Sequence, residues 1–70
     1  MLRTPVDSSA LRSVGYDAAH RMLELEFTCG GLYAYRSVPG RVHRELVAAD
    51  SLGRYFAREI RDRYPYRRLR

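Results

Sequence analysis

Seven arginines against two acids occupy residues 54–70, and this imbalance is the strongest chemical signal in the chain. Arg54, Arg58 and Arg61 recur at i, i+4 and i+7, so on a helix they share one stripe able to follow phosphates. Beyond them Arg63, Tyr64, Tyr66, Arg67, Arg68 and Arg70 interleave cations with rings. That pattern suits stacking on unpaired bases while contacting phosphate. The plainer alternative is a solvated face with a solubilising tail. It would carry i,i+4 ion pairs from Arg58 to Asp62 and from Glu59 to Arg63, each worth about 0.3–0.5 kcal/mol. Such pairs would still leave Arg54 and Arg61 free. Residues 1–53 hold six arginines and six acids, so the entire excess of +5 lies at the carboxyl end. Asymmetry of this kind points to a polyanionic partner. All thirteen basic residues are arginine, which gives bidentate phosphate contacts and stacks on bases. Coding bias in a GC-rich genome is the more ordinary reason for the missing lysines, because the neutral part of the chain lacks them too.

The other candidates for chemistry are weaker. His20, Cys29 and His43 are the only classical soft metal ligands, and they lack the paired short spacings of a zinc site. A Cys29/His43 nucleophilic pair has no orienting group or oxyanion donor that the sequence supplies. Glu24 and Glu26 lie two apart, hence on one face of a strand, where pairing with cross-strand arginines is their ordinary use. Gly30-Gly31 falls between two strands rather than before a helix, so it is no phosphate cradle. No catalytic residue, metal or cofactor is therefore expected.

Size argues the same way. Seventy residues allow one domain, which buries only about 60% of its unfolded surface. A substrate-enclosing pocket is hard to carve from so small a core. One cysteine permits no internal disulfide. The amino-terminal stretch has no apolar run of signal-peptide length, and no window approaches a membrane span. The expectation is a cytoplasmic chain with no membrane role and no small-molecule substrate.

The elements that must carry these side chains follow from periodicity. Residues 1–8 read as a flexible lead-in, residues 9–66 as the domain and residues 67–70 as a basic tail. A strand is expected from Ser9 to Tyr16, with Val14 and Tyr16 in register and Leu11 reconciled by a bulge or a late start. Asp17-Ala18-Ala19-His20 reads as a turn capped by Asp17. In residues 22–27, Leu23, Leu25 and Phe27 alternate with Glu24 and Glu26, the mark of a half-buried strand. Residues 32–38 return as a third strand carrying Tyr33 and Tyr35. A two-residue loop would expose both tyrosines, and the sequence alone leaves that choice open. A three-residue loop, Cys29-Gly30-Gly31, pairs Tyr33 with Phe27 and Tyr35 with Leu25, and is favoured because a tiny sheet needs those rings. Val38-Pro39 opens a first helix with Val42, Leu46 and Ala49 inward. Asp50-Ser51 breaks it and caps a second helix. There Leu52, Phe56, Ile60 and Tyr64 form one stripe that Pro65 ends. The expected fold class is α+β, a three-stranded antiparallel meander followed by two helices packed on one face.

Taken together, Ser9-Ala10-Leu11 with Val14-Gly15-Tyr16-Asp17, then Gly31-Leu32-Tyr33-Ala34-Tyr35 with Val38-Pro39, and finally Ser51-Leu52-Gly53-Arg54-Tyr55-Phe56 with Ile60-Arg61 and Tyr64 resemble the KTSC domain. That short module is named for its place at the carboxyl end of some lysyl-tRNA synthetases, and it also stands alone in small bacterial proteins. The resemblance spans roughly residues 8–66, and its specificity lies in the order and spacing of the motifs. It implies RNA as a partner through the synthetase association and assigns no active site. Tyr33 and Tyr35 carry over as family-motif positions only. The arginine-rich end, Tyr66-Arg67-Arg68-Leu69-Arg70, departs from the pattern.

Charge placement, small size and the family resemblance all point to a non-enzymatic, RNA-binding module. Its contacts are expected from Arg54, Arg58, Arg61, Arg63, Arg67, Arg68 and Arg70, with Tyr66 stacking. Engagement of about five phosphates would give a log K against log salt slope of roughly −3.5. The rival reading is a protein-interaction or homodimeric assembly module, since a short meander leaves strand edges open. The RNA reading requires guanidinium groups not consumed by acids of the same chain.

Overall fold

The computed structural model describes residues 3–70. The alternation in residues 22–27 becomes β3 (Met22–Phe27), with Leu23 and Leu25 fully buried and Glu24 and Glu26 on the opposite face. It pairs antiparallel with β2 (Leu11–Asp17), whose register shifts between Leu11 and Ser13. This bulge at Arg12 brings Leu11 onto the same face as Val14, as the apolar spacing requires. The β2–β3 turn is closed by Asp17, whose Oδ1 accepts from the Ala19 and His20 amides at 3.1 and 3.4 Å. Arg21 completes the turn at φ 53°.

β4 (Leu32–Tyr35) returns beside β3 with Leu25 opposite Tyr33 and Leu23 opposite Tyr35. The tyrosines thus lie on the core face, but two residues further along β3 than the loop Cys29-Gly30-Gly31 implies. The turn is Thr28-Cys29-Gly30 instead: the Phe27 amide donates to the Gly31 carbonyl at 2.8 Å, so Gly31 already belongs to the ladder. Only Gly30 takes a positive φ, 105°, a conformation open to glycine at no steric cost. Gly31 is small for another reason: a Cβ there would meet the Tyr33 ring at 3.0 Å.

Two helices cover the apolar face. α1 (Gly40–Ala48) follows Pro39 and buries Val42 and Leu46. α2 (Leu52–Glu59) is capped by Ser51, whose hydroxyl accepts from the Arg54 amide at 3.3 Å. The expected stripe holds for packing: Leu52, Phe56 and Ile60 are buried, and Tyr64 packs against the same cluster. The helix does not run to Pro65, however. It stops at Glu59, and Ile60 leaves helical geometry at φ −122°. A turn through residues 60–63 keeps Ile60 and Tyr64 inward while reversing the chain.

That reversal explains the main difference from a three-stranded meander. The sheet has five strands in the order β1-β2-β3-β4-β5. The expected lead-in contributes β1 (Arg3–Pro5) beside β2, while its Met1 and Leu2 lie outside the described residues. The last residue of the expected domain and the first two of the expected tail form β5 (Tyr66–Arg68) beside β4, fastened further by the Leu69 amide donating to the Leu32 carbonyl at 2.7 Å. Neither strand has an apolar alternation to announce it. Each is three residues long, sits at an edge and carries proline or arginine, as guarded edges do.

The second face of the sheet has no helix on it. Its glutamates take the cross-strand role expected of them. Arg3 pairs with Glu24 and donates to Ser13 Oγ at 3.2 Å. Ser13 in turn donates to Glu26 at 2.9 Å, and Arg70 meets the other Glu26 oxygen at 2.8 Å. The Ser13 hydrogen bond, opposed by desolvation and helped by the charges of Arg12, Arg70 and Arg3, holds the Glu26 carboxyl below its ordinary range.

Candidate nucleic-acid interface

The seven carboxyl-end arginines do not form one surface. Arg54 stands exposed on α2. Arg58 pairs with Glu59 at 3.1 Å and lies over the Tyr55 ring, not with Asp62, which falls beyond the helix end. Arg63 does reach Glu59, at 4.0 Å, as its spacing predicted. Arg61 lies past the last helical residue, so the expected Arg54/Arg58/Arg61 stripe is broken there, and its guanidinium sits 5.6 Å from the Phe56 ring centroid. Arg67 takes the place opposite Ala34, on the helix-free face. Arg70 is held by Glu26 on that face. Arg68 turns the other way, beside Tyr33, with its guanidinium 5.6 Å from that ring.

What the fold does bring together is a run of rings. Register places Tyr66 opposite Tyr35 and Arg68 opposite Tyr33, all on the helix side of the sheet. Tyr66 lies 5.4 Å from Tyr35 and 5.6 Å from Tyr33, centroid to centroid. Phe27 meets Tyr33 edge-on at 5.5 Å, and Phe56 from α2 meets Phe27 at 5.2 Å and Tyr35 at 5.7 Å. These rings line a groove of about 450 Å³. Cys29 from the β3–β4 turn and Arg61 and Asp62 from the segment after α2 also line it.

Exposure differs sharply along this groove. Tyr35 is only 4% exposed, whereas Tyr66 is 56% exposed. Burial first, then the neighbouring Tyr66 and Tyr33 hydroxyls, push Tyr35 up to about 12, so it stays a neutral donor near pH 7. The groove therefore combines a fixed floor with one open ring and cations at its margin. A flat, electron-rich ligand can stack on such rings while a neighbouring anion meets arginine.

Other hollows exist among the described residues, one of them, about 210 Å³, lined by Asp7, Asp50 and Ser51 with no ring or arginine. The elbow between α1 and α2 encloses about 470 Å³ and includes Arg54 and Arg58. Its carboxylates, Glu45 and Asp50, offset that charge, and its one ring is engaged: Tyr55 donates to Glu45 at 2.7 Å. That hydrogen bond, followed by Arg41, keeps Glu45 below its ordinary range. The hollow on the helix-free face, about 510 Å³, is lined by Met22, Ala34, Arg36, Arg67 and Leu69 and shares Tyr66 with the aromatic groove. Each of these two hollows holds a single ring, against five in the aromatic groove.

The soft metal ligands are dispersed. His20 bonds Asp17 at 2.7 Å, and His43 stacks on Tyr16 with centroids 4.9 Å apart. Cys29 is exposed at its turn. Among the described residues, no three of His, Cys, Asp and Glu converge on one point able to hold a metal. No helix of these residues is long and apolar enough to cross a membrane.

Sequence reasoning selected Tyr33, Tyr35, Tyr66, Arg61 and Arg68 but assigned the tyrosine pair to the core and the arginines to separate segments. It missed Phe27, Phe56 and Asp62 as parts of the same wall. The one available signal was the shared parity of Phe27, Tyr33 and Tyr35; nothing local announced that β5 would complete the set.

Comparison with known proteins agrees with this architecture. Residues 7–64 match the KTSC domain family. The crystal structure of a KTSC domain protein from Yersinia pestis superposes with a TM-score of 0.95 at 40% identity, covering 99% of this chain and 97% of that one. An uncharacterised protein of Stutzerimonas stutzeri is 52% identical over 56 residues, 80% of this chain and 79% of its own length. A lysine–tRNA ligase of Nostoc is 35% identical over 63 residues, which are 90% of this chain but 11% of the ligase.

Proposed function

The chain belongs to the KTSC domain family, and we propose that it is a non-catalytic module that binds unpaired RNA in the aromatic groove. The observation that carries this reading is Tyr66, more than half exposed beside Tyr33 and Tyr35, with Arg61 and Arg68 at the margin. Bases freed from a duplex present both faces for stacking, while paired bases do not. Stacking on such rings is worth about 1–3 kcal/mol per base. The relative that is a lysine–tRNA ligase supports RNA as the polymer. Arg58, Arg63 and Arg70 are engaged with glutamates, so they are secondary contacts at most. Exposed pairs of this kind are weak and can exchange one anion for another.

The test is a fluorescence anisotropy titration with an unpaired RNA and a duplex of the same sequence, with heparin as a charge control. Tighter binding of the unpaired strand supports the reading. Equal affinity for duplex and heparin reduces it to generic charge. The rival, homodimeric assembly, rests on the open sheet edges, which here carry Pro5 or Arg67 and Arg68 and so discourage strand pairing. Light scattering at several concentrations separates the two, because a stable dimer indifferent to RNA favours the rival.

A further inference from the structure

Two polar groups in the groove lie beside the rings without a structural task. Asp62 lines the groove next to Arg61, and its carboxylate makes no hydrogen bond or ion pair among the described residues. Tyr35 lines the same groove, is 96% buried by its 4% exposure, and its hydroxyl has no hydrogen-bond partner among those residues. That hydroxyl is nevertheless not sealed off, since no buried side-chain polar atom is left unsatisfied. An accessible donor on the floor of an aromatic groove and a free acceptor on its wall invite a ligand with a complementary edge.

Resting on the RNA reading above, we infer that the groove selects guanine, with Asp62 accepting from its Watson–Crick edge and Arg61 or Tyr35 donating to its carbonyl oxygen. A carboxylate accepts two parallel N–H bonds well. Among the four bases, only guanine presents two adjacent donors, N1–H and the 2-amino group, beside an acceptor, O6. Adenine and cytosine set a ring-nitrogen acceptor next to their amino group, which would face the carboxylate lone pairs. Uracil offers a single N–H between two carbonyls. A site whose polar groups match one edge penalises the others by leaving those groups unpaired. The volume, about 450 Å³, gives a stacked base room at the open Tyr66 end. An acid in a groove otherwise walled by rings and cations would be a liability for a purely electrostatic RNA site, and guanine gives it a use.

The experiment uses uridine octamers with one central guanosine, inosine or adenosine, titrated against the full chain by anisotropy. The wild type should prefer guanosine over adenosine by about tenfold, the scale of one good bidentate base contact. Inosine, which lacks the 2-amino group, should fall between them. Asp62→Asn should abolish the preference, with circular dichroism confirming the fold. Equal wild-type affinity for all three octamers, or a preference that survives Asp62→Asn, overturns guanine selection and leaves RNA binding standing. Failure of every octamer to bind overturns both.

Discussion

Tyr66 faces Tyr35 across the β4–β5 ladder with ring centroids 5.4 Å apart, and that pair makes the carboxyl terminus part of the sheet. Deleting residues 66–70 leaves β4 paired with β3 alone and uncovers Tyr33 and Tyr35. The lost cross-strand and aromatic contacts should cost about 1–2 kcal/mol. In a domain of this size that lowers Tm by roughly 5–15 °C. Thermal unfolding followed by circular dichroism measures it, and an unchanged Tm would mean that β5 adds no stability.

Ile60 gives a sharper test of the core. It is fully buried although it sits just past the last residue of α2. Ile60→Ala should cost about 2–5 kcal/mol through lost burial and the cavity left behind. So small a domain has little more than that to lose. The variant should be largely unfolded at 37 °C in a urea titration, whereas Val47→Ala on the exposed side of α1 should match the wild type.

His43 should impose a pH dependence. Burial, then the charge of Arg44, lowers it from the ordinary value of 6.5. The unfolded chain therefore takes up the proton first as pH falls. Its contribution to stability is full above about pH 6.5 and is lost as pH drops through the folded value. His43→Phe should keep the stack on Tyr16 and flatten the fall in Tm between pH 7 and pH 5. A variant with the same slope as the wild type would assign that slope to other groups.

Much of this fold was legible because the apolar pattern leaves few choices. Leu23, Leu25 and Phe27 fixed a face, Leu11 demanded a bulge, and Ser51 announced a helix start. The edge strands were not legible. Arg3-Thr4-Pro5 and Tyr66-Arg67-Arg68 carry no alternation of burial, and their pairing is decided by where β2 and β4 present unpaired backbone. The early end of α2 was hidden for a related reason: Ile60 and Tyr64 keep helical spacing in sequence while the backbone between them turns. For the site, arginine counting found charge but not place, because Arg67 and Arg68 point to opposite faces once β5 forms. The tyrosines were found by parity, yet their shared groove exists only after three separate segments meet.

Salt dependence should reflect this redistribution. A groove with Arg61 and Arg68 at its margin engages about two phosphates, so log K should fall with log salt at a slope near −1.4. The slope of roughly −3.5 expected for five phosphates would instead point to a surface that gathers the scattered arginines. Anisotropy titrations between 50 and 200 mM salt, about fourfold in range, distinguish the two.

The most direct test is the affinity of unpaired RNA for Tyr66→Ala, with Arg54→Ala as the control on α2. Loss of the open stacking ring should weaken binding about tenfold or more, while Arg54→Ala stays within about twofold of the wild type. Tyr66→Ala that folds and binds as tightly as the wild type would contradict the assignment of the groove.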